Sequence, residues 1–265
     1  MDKEQKTFDF RTIVMSDVHL GSKWSKSREA TAFIRNNSCE TLILCGDIID
    51  GWAIMRGRGE KWKRNHTSFI KALLDIAHTT RIIYVRGNHD DFLDRVTPIN
   101  FLNMEIINDY IYTSGDKRYY VIHGDIFDSV TSRISWLAKL GDIGYSLLLT
   151  INRIYNKYRM FRGLPYYSIA RAVKDKVKSS LSALDGFETQ ICELAKVKEC
   201  DGVICGHIHR PDIKDVNGIK YLNSGDWMES LTALTEDYEG NWVLYREDVD
   251  HKSPSFMNPD EEEDE

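Results

Sequence analysis

No stretch of this 265-residue chain approaches the roughly 18 uncharged apolar residues a membrane-spanning helix needs, which argues against a helical integral membrane protein. The opening Met1-Asp2-Lys3-Glu4-Gln5-Lys6 lacks the apolar core of a secretory signal, so the expected location is the cytoplasm. Cysteine is scarce: Cys39, Cys45, Cys192, Cys200 and Cys205 are odd in number and include no C-x-x-C pair. That pattern disfavours a disulfide scaffold or a thiolate metal site and suits small buried side chains in a reducing compartment. A basic excess is missing too. The net charge is −6, and the six acidic residues from Asp260 to Glu265 carry all of it. The near-neutral body does not look like a nonspecific nucleic-acid binder.

What is present is enough apolar residue, 42%, to build a core. The runs Ile13-Val14-Met15, Leu42-Ile43-Leu44-Cys45, Ile82-Ile83-Tyr84-Val85, Tyr119-Tyr120-Val121-Ile122 and Val203-Ile204-Cys205 are short and mostly β-branched or aromatic, as buried strands are. Helical spacing fills Ser27 to Asn36 and Trp62 to His78 between them, so the class is α/β. Ser114 to Lys117, Asn217-Gly218 and Glu239-Gly240 read as turns, the last leading into a strand over Asn241 to Arg246. The expected organisation is one domain over 1–250 and a disordered acidic tail over 251–265.

Residues 129–200 break the alternation with long helical periodicity and read as a helical insertion, a lid. Between 131 and 180 this segment carries ten Lys or Arg against two acids, interleaved with Trp136, Tyr145, Tyr155, Tyr158, Phe161, Tyr166 and Tyr167. Two readings stay open: a solvated face with its aromatics in the core, or a surface that meets an anionic amphiphile or a membrane.

The end of each apolar run delivers polar residues. In order these are Asp17-Val18-His19, Gly46-Asp47 with Asp50, Arg86-Gly87-Asn88-His89-Asp90, His123-Gly124-Asp125 and Gly206-His207-Ile208-His209-Arg210. In open α/β sheets a ligand site lies at the carboxyl ends of the strands, so these residues are expected to converge. Asp, His and Asn without Cys favour Mn²⁺, Fe²⁺ or Zn²⁺ over an iron–sulfur cluster. Seven such side chains exceed one tetrahedral ion and suit two ions about 3.5–4 Å apart that share a carboxylate, the spacing used for displacement at phosphorus.

The ordered set Asp17-x-His19, Gly46-Asp47-x-x-Asp50, Gly87-Asn88-His89-Asp90, His123-Gly124-Asp125 and Gly206-His207-x-His209 resembles the calcineurin-like metallophosphoesterases over about 12–210. The resemblance implies a four-layer α/β/β/α sandwich. It also implies one metal on Asp17, His19, Asp47 and His209, and another on Asp47, Asn88, His123 and His207, with Asp47 as the bridge. Beside that set, His89 is placed to stabilise the transferring phosphoryl group or protonate the leaving oxygen, with Asp90 orienting its imidazole. Asp50 and Asp125 read as supporting carboxylates, and Arg86 and Arg210 either clamp phosphate oxygens or are structural.

Within that superfamily, Ser16 to Gly21, the helical insertion, Cys205 to Pro211 and Asn223-Ser224-Gly225-Asp226-Trp227 look like the UDP-2,3-diacylglucosamine diphosphatase group. That likeness implies a Mn²⁺ enzyme of lipid A biosynthesis, acting at the membrane surface on an anionic nucleotide-lipid to release UMP and a diacylglucosamine 1-phosphate. The best-known members of the group carry Arg after the ligand Asn, where this chain has His89, as in the wider superfamily. Other phosphodiesterases or phosphatases acting on a different phospholipid or nucleotide are the alternative.

Overall fold

A computed structural model describes residues 8–56, 62–127, 151–168 and 183–247. Strands β1 (Phe10–Met15), β2 (Cys39–Cys45), β3 (Arg81–Val85), β4 (Ile99–Phe101), β5 (Met104–Ile107), β11 (Thr232–Glu236) and β12 (Trp242–Arg246) form one sheet in the order β12-β11-β1-β2-β3-β5-β4. Strands β6 (Tyr110–Ser114), β7 (Lys117–Val121), β8 (Gly202–Cys205), β9 (Asp212–Val216) and β10 (Ile219–Asn223) form the second, ordered β6-β7-β8-β10-β9. β1, β2, β3 and β5 run parallel, as do β7, β8 and β10, and antiparallel strands close the edges.

The layering follows from the two-residue period of a strand, which sends neighbouring side chains to opposite faces. Ile13 and Met15, Leu42 and Leu44, and Ile82 and Tyr84 face outward against α1 (Ser27–Asn36) and, beyond the short α2 (Gly51–Arg56), α3 (Arg64–Ile76), meeting Phe33, Ile34, Phe69 and Leu73. The intervening Val14, Ile43, Cys45, Ile83 and Val85 face inward and pack on Tyr119, Val121, Ile204 and Leu222 of the second sheet. Tyr120, Val203, Cys205 and Tyr221 point the other way, onto Phe187, Ile191, Cys192 and Ala195 of α4 (Ala183–Val197). The result is helix, sheet, sheet, helix, the α/β/β/α sandwich expected. The central strands β1, β2, β3 and β8 are apolar on both faces because they are covered on both, which is why they read as continuous runs.

The expected turns are present. Ser114 pairs with Lys117 and Val216 with Ile219, and the latter turn holds Asn217 and Gly218 at φ 54° and 81°, the left-handed pair a type I′ hairpin requires. All five cysteines are buried free thiols, and burial pushes Cys39 and Cys205 up to about 12 and Cys192 up to about 11, so they are inert packing groups.

The expected insertion needs a narrower boundary. Its segments 129–150 and 169–182 lie outside the described residues, as does the 251–265 tail, and 151–161 is helical. Residues 183–197, also assigned to the lid, instead form α4, whose apolar stripe is the outer wall of the second sheet. Periodicity alone could not separate a helix that covers a sheet from one that leaves it. Among the described residues no helix is long and apolar enough to cross a membrane.

Candidate metal centre

Every polar cluster lies just past a strand's carboxyl end: Asp17 and His19 after β1, Asp47 after β2, Asn88 and His89 after β3, His123 after β7, His207 and His209 after β8. Because β1, β2 and β3 belong to one sheet and β7 and β8 to the other, the clusters meet across the top of the sandwich. The loops are stitched together by backbone hydrogen bonds. Asp17 N–H donates to Gly46 O at 3.0 Å, His19 N–H to Asp47 O at 2.9 Å, and Gly206 N–H to His123 O at 3.2 Å.

Among the described residues three groups there could each hold an ion: Asp17, His19 and His209; Asp47, His123 and His207; and, beside them, His19, Asp50 and His89. His209 Nε2 lies 3.0 Å from Asp17 Oδ1, and His123 Nε2 lies 3.2 Å from Asp47 Oδ2. His19 Nε2 stands between the two carboxylates, 3.7 Å from Asp17 Oδ1 and 3.8 Å from Asp47 Oδ2. Asp17 Oδ1, His19 Nε2, Asn88 Oδ1 and His123 Nε2 are buried and make no hydrogen bond. Buried polar atoms are normally satisfied, so four orphaned lone-pair atoms gathered at one place fit divalent cations. The donor set, imidazole nitrogen with carboxylate and amide oxygen, suits Mn²⁺, Fe²⁺ or Zn²⁺.

The electrostatics agree. Burial alone would raise the Asp17 carboxyl, but His209 and His19 at its oxygens hold it well below the usual range. Burial likewise opposes charge on His123, yet Asp47 beside it pushes the imidazole up to about 10. Asp47 is itself held low against burial by His123 and His19. Carboxylates this strongly committed to the charged form are built to face positive charge.

Neighbouring groups fix the candidate ligands. The Nδ1 of His123 lies 2.9 Å from the Cys45 carbonyl, which can only accept, so Nδ1 carries a hydrogen in either protonation state and Nε2 is the nitrogen at which a cation would take the place of the proton. His207 N–H donates to Asp17 Oδ2 at 3.1 Å and His89 N–H to Asp47 Oδ1 at 2.8 Å, leaving one oxygen of each carboxylate for other work. Gly87 is required by close approach: a Cβ there would collide with the Asp47 carboxylate and come within 2.8 Å of His123 Cδ2.

Residues 10–211 match the family model described as calcineurin-like phosphoesterase. The chain belongs to that family. Two curated relatives bear the name UDP-2,3-diacylglucosamine hydrolase: one from Shewanella halifaxensis, 23% identical over 86% of this chain and 95% of its own length, and one from Vibrio parahaemolyticus, 24% identical with the same coverage. A third, the DNA polymerase II small subunit of Thermoplasma acidophilum, is 22% identical over 84% of this chain, which spans only 46% of that protein.

Membership in the phosphoesterase family directs attention to the groups around the ligands, where two sequence-based expectations are corrected. Asp90 does not orient His89. It is fully buried, its oxygens accepting N–H groups of Ile48 (3.3 Å), Ile49 (2.9 Å) and Gly87 (3.1 Å) and the Tyr84 hydroxyl (2.7 Å). Burial and the nearby Asp47 push Asp90 up to about 6. Asp50 is the partner of His89, with Oδ1 2.9 Å from His89 Nδ1 and Oδ2 3.6 Å from His19 Nδ1. Burial works against the Asp50 charge, but the two imidazoles hold the carboxyl far below its ordinary value, so it accepts and His89 Nδ1–H donates. Arg86 is occupied elsewhere: Nε pairs with Asp94 at 3.0 Å and Nη1 with Asp125 at 2.8 Å, tying the loop of Asn88 to the loop of His123. That makes it a strut between two loops, and Asp125 its anchor. Arg210 is exposed beside His209.

Sequence reasoning missed three contributors. Trp52 lies with its ring 4.3 Å from that of His89 and donates its indole N–H to Asp91. Tyr84 holds Asp90. His66 Nδ1 accepts the N–H of Gly21 at 3.2 Å, bracing the loop after His19, and burial lowers it to about 4. Trp52, two positions after Asp50, lies in the short helix Gly51–Arg56 that follows the Asp47 cluster, while the other two lie inside an ordinary strand and an ordinary helix.

Proposed function

We propose that this phosphoesterase hydrolyses the diphosphate of a UDP-2,3-diacylglucosamine-like nucleotide-lipid, releasing UMP and a diacylglucosamine 1-phosphate. The reading is supported by relatedness to hydrolases of that name along nearly their whole length, joined to the gathering of Asp17, His19, Asp47, Asn88, His123, His207 and His209 at the strand ends. Asp17, His19, Asp47 and His209 would hold one ion, and Asp47, Asn88, His123 and His207 a second, with Asp47 shared and manganese the metal. When bound, the ions supply electrophilic charge at the phosphoryl oxygens and lower the pKa of a water.

The chain's own residues do the rest. With Nδ1–H tied to Asp50, His89 has Nε2 free to deliver a proton to the oxygen that leaves phosphorus as the P–O bond breaks. Asp50 compensates the imidazolium, and Trp52 covers one face of the ring. His89, where the resemblance implies Arg, favours a second reading in which the same site acts on another phospholipid or nucleotide.

The test is to incubate purified protein with Mn²⁺ and UDP-2,3-diacylglucosamine and follow UMP and lipid product by mass spectrometry. Release of UMP that Asp47→Ala abolishes is the expected result. Metal-dependent cleavage of an aryl phosphodiester without UMP release would overturn the lipid substrate and keep the hydrolase.

A further inference from the structure

The first turns of α4 reach the candidate ligands. Phe187 is fully buried, and its ring lies 6.3 Å from that of His207 with the two planes tilted by 34°. It also rests on the backbone beside His123. A Cβ at Gly124 would lie 3.0 Å from Phe187 Cζ and 3.4 Å from His207 Cβ, so the phenyl ring, the bare backbone at 124 and the His207 side chain share one contact. Phe127, at the end of the short turn Asp125–Phe127, meets the same phenyl ring edge to face at 6.0 Å and 89°. Phe187 thereby touches the loop after β7 and the loop after β8, which carry His123 and His207.

Those two imidazoles are held by different means. His123 is fully buried, and its Nδ1 is fixed by the Cys45 carbonyl at 2.9 Å. His207 is half-buried, and its backbone serves the opposite group: φ is 64°, and the N–H donates to Asp17 Oδ2 at 3.1 Å. From that turn the side chain reaches back toward Asp47 and His123. The rings packed beside it are those of His123, 5.1 Å away, and Phe187. An imidazole kept in one rotamer before an ion arrives loses less side-chain entropy on binding, and an apolar group packed against it keeps water from competing for its nitrogen.

The other group draws on different neighbours. His209 lies against Asp17 and the ring of His19, and His19 against Asp50 and the ring of His89. A change at Phe187 should therefore reach one ion and spare the other.

We infer that Phe187 is a positioning residue for the second ion, fixing the imidazole of His207 toward Asp47 and His123 from the helix layer outside the second sheet. The inference rests on the two-ion reading of the centre. It gives α4 a task besides covering the sheet.

The test is Mn²⁺ binding to the full-length protein stripped of metal, followed by isothermal titration calorimetry and electron paramagnetic resonance. Wild type is expected to take up two ions and to show, at saturation, the spectrum of a spin-coupled pair. Phe187→Leu keeps an apolar side chain and removes the ring. It is expected to hold the first ion as wild type does and the second about 10–100-fold more weakly, so that added Mn²⁺ gives the spectrum of isolated ions. Phe187→Met is measured alongside, with circular dichroism on each, so that a folding defect in one variant does not decide the result. Ile219→Ala is the control, because it opens a cavity in the same core layer at the other end of the sheet, where Lys220 pairs with Gly202 at the start of β8. Equal weakening of both ions, or a loss in Ile219→Ala as large as that in Phe187→Leu, would overturn the inference. If wild type binds two ions and the Phe187 variants change neither, the two-ion reading stands and the inference fails alone. If wild type binds only one, the reading fails and the inference falls with it.

Discussion

Replacing His89 with asparagine separates proton donation from simple contact. The ring is held from three sides: by Asp50 at 2.9 Å, by the edge of His19 at 4.7 Å between centroids, and by Trp52 at 4.3 Å. Asparagine can still donate an N–H to Asp50, so the loop should keep its place, but it has no proton to give at neutral pH. A positioned general acid is worth about 10²–10⁴-fold, or roughly 3–5 kcal/mol of barrier. That contribution grows as the leaving oxygen becomes more basic. We therefore expect kcat/KM for an alkyl phosphodiester to fall by about 10³-fold in His89→Asn and for a p-nitrophenyl diester by less than about tenfold. The assay is a series of diesters with graded leaving groups, run on wild type and variant at equal metal content measured by inductively coupled plasma mass spectrometry. A uniform loss across the series would refute proton donation and leave His89 as a binding contact. Loss of metal would refute the claim that His89 stands outside the ligand set.

Asp47→Ala is expected to abolish activity and to lower the bound metal, measured in the same way, because the proposal makes this carboxylate the ligand shared by both ions; retention of two ions at full rate would disprove the sharing. Asp90→Ala leaves three buried N–H groups and a tyrosine hydroxyl without their acceptor, at about 1–3 kcal/mol for each unsatisfied donor. Urea denaturation should show a loss of at least about 3 kcal/mol, and a loss under about 1 kcal/mol would mean the carboxylate is not holding the loops. His66 is lowered from 6.5 to about 4, so the unfolded chain binds the proton more tightly. Its contribution to stability is present above about pH 6.5 and is lost as the pH falls toward 4. Between pH 7 and pH 5 the wild type should lose about 1–2 kcal/mol more than His66→Asn, which keeps an acceptor for Gly21 N–H and does not titrate. Identical pH dependence of the two proteins would remove His66 from the account.

Much of this was legible in the chain because local chemistry and global layout coincide. Val14, Ile43, Ile83 and Val203 announce buried strands, and the polar residues that follow such runs can only be loops at the strands' carboxyl ends. What was hidden depends on contacts distant in sequence. Asp90 adjoins His89 and so looks like its partner, but the turn sends the carboxylate back toward Ile48 and Ile49 and brings Asp50 to the imidazole instead. Arg86 stands beside a ligand loop and looks free to bind phosphate, while Asp94 and Asp125 reach it from elsewhere. The short edge strand β4, with Ile99, Asn100 and Phe101 all exposed, carries no burial pattern by which to find it. α4 has the periodicity of any amphipathic helix, and the sheet that pairs with it is set by tertiary packing.

The candidate ligand positions also show why these residue types would serve the backbone as well as a metal. Asp17, His19, Asp47, His207 and His209 lie at φ 54°, 51°, 54°, 64° and 50°. The left-handed region costs an ordinary L-residue about 1–2 kcal/mol, and Asp, Asn and His are the non-glycine types that populate it most readily. A chain that must turn sharply off the ends of β1, β2 and β8 and present candidate ligands at those three turns therefore finds both properties in the same side chains. The strain persists because the partners come from different sheets. His207 N–H and His209 Nε2 engage Asp17, His123 engages Asp47, and the strands behind them are clamped by the core between the sheets. Relaxing one turn would pull a ligand away from its counterpart on the other sheet. The rigidity of the sandwich is thus what keeps the orphaned oxygens and nitrogens facing one another.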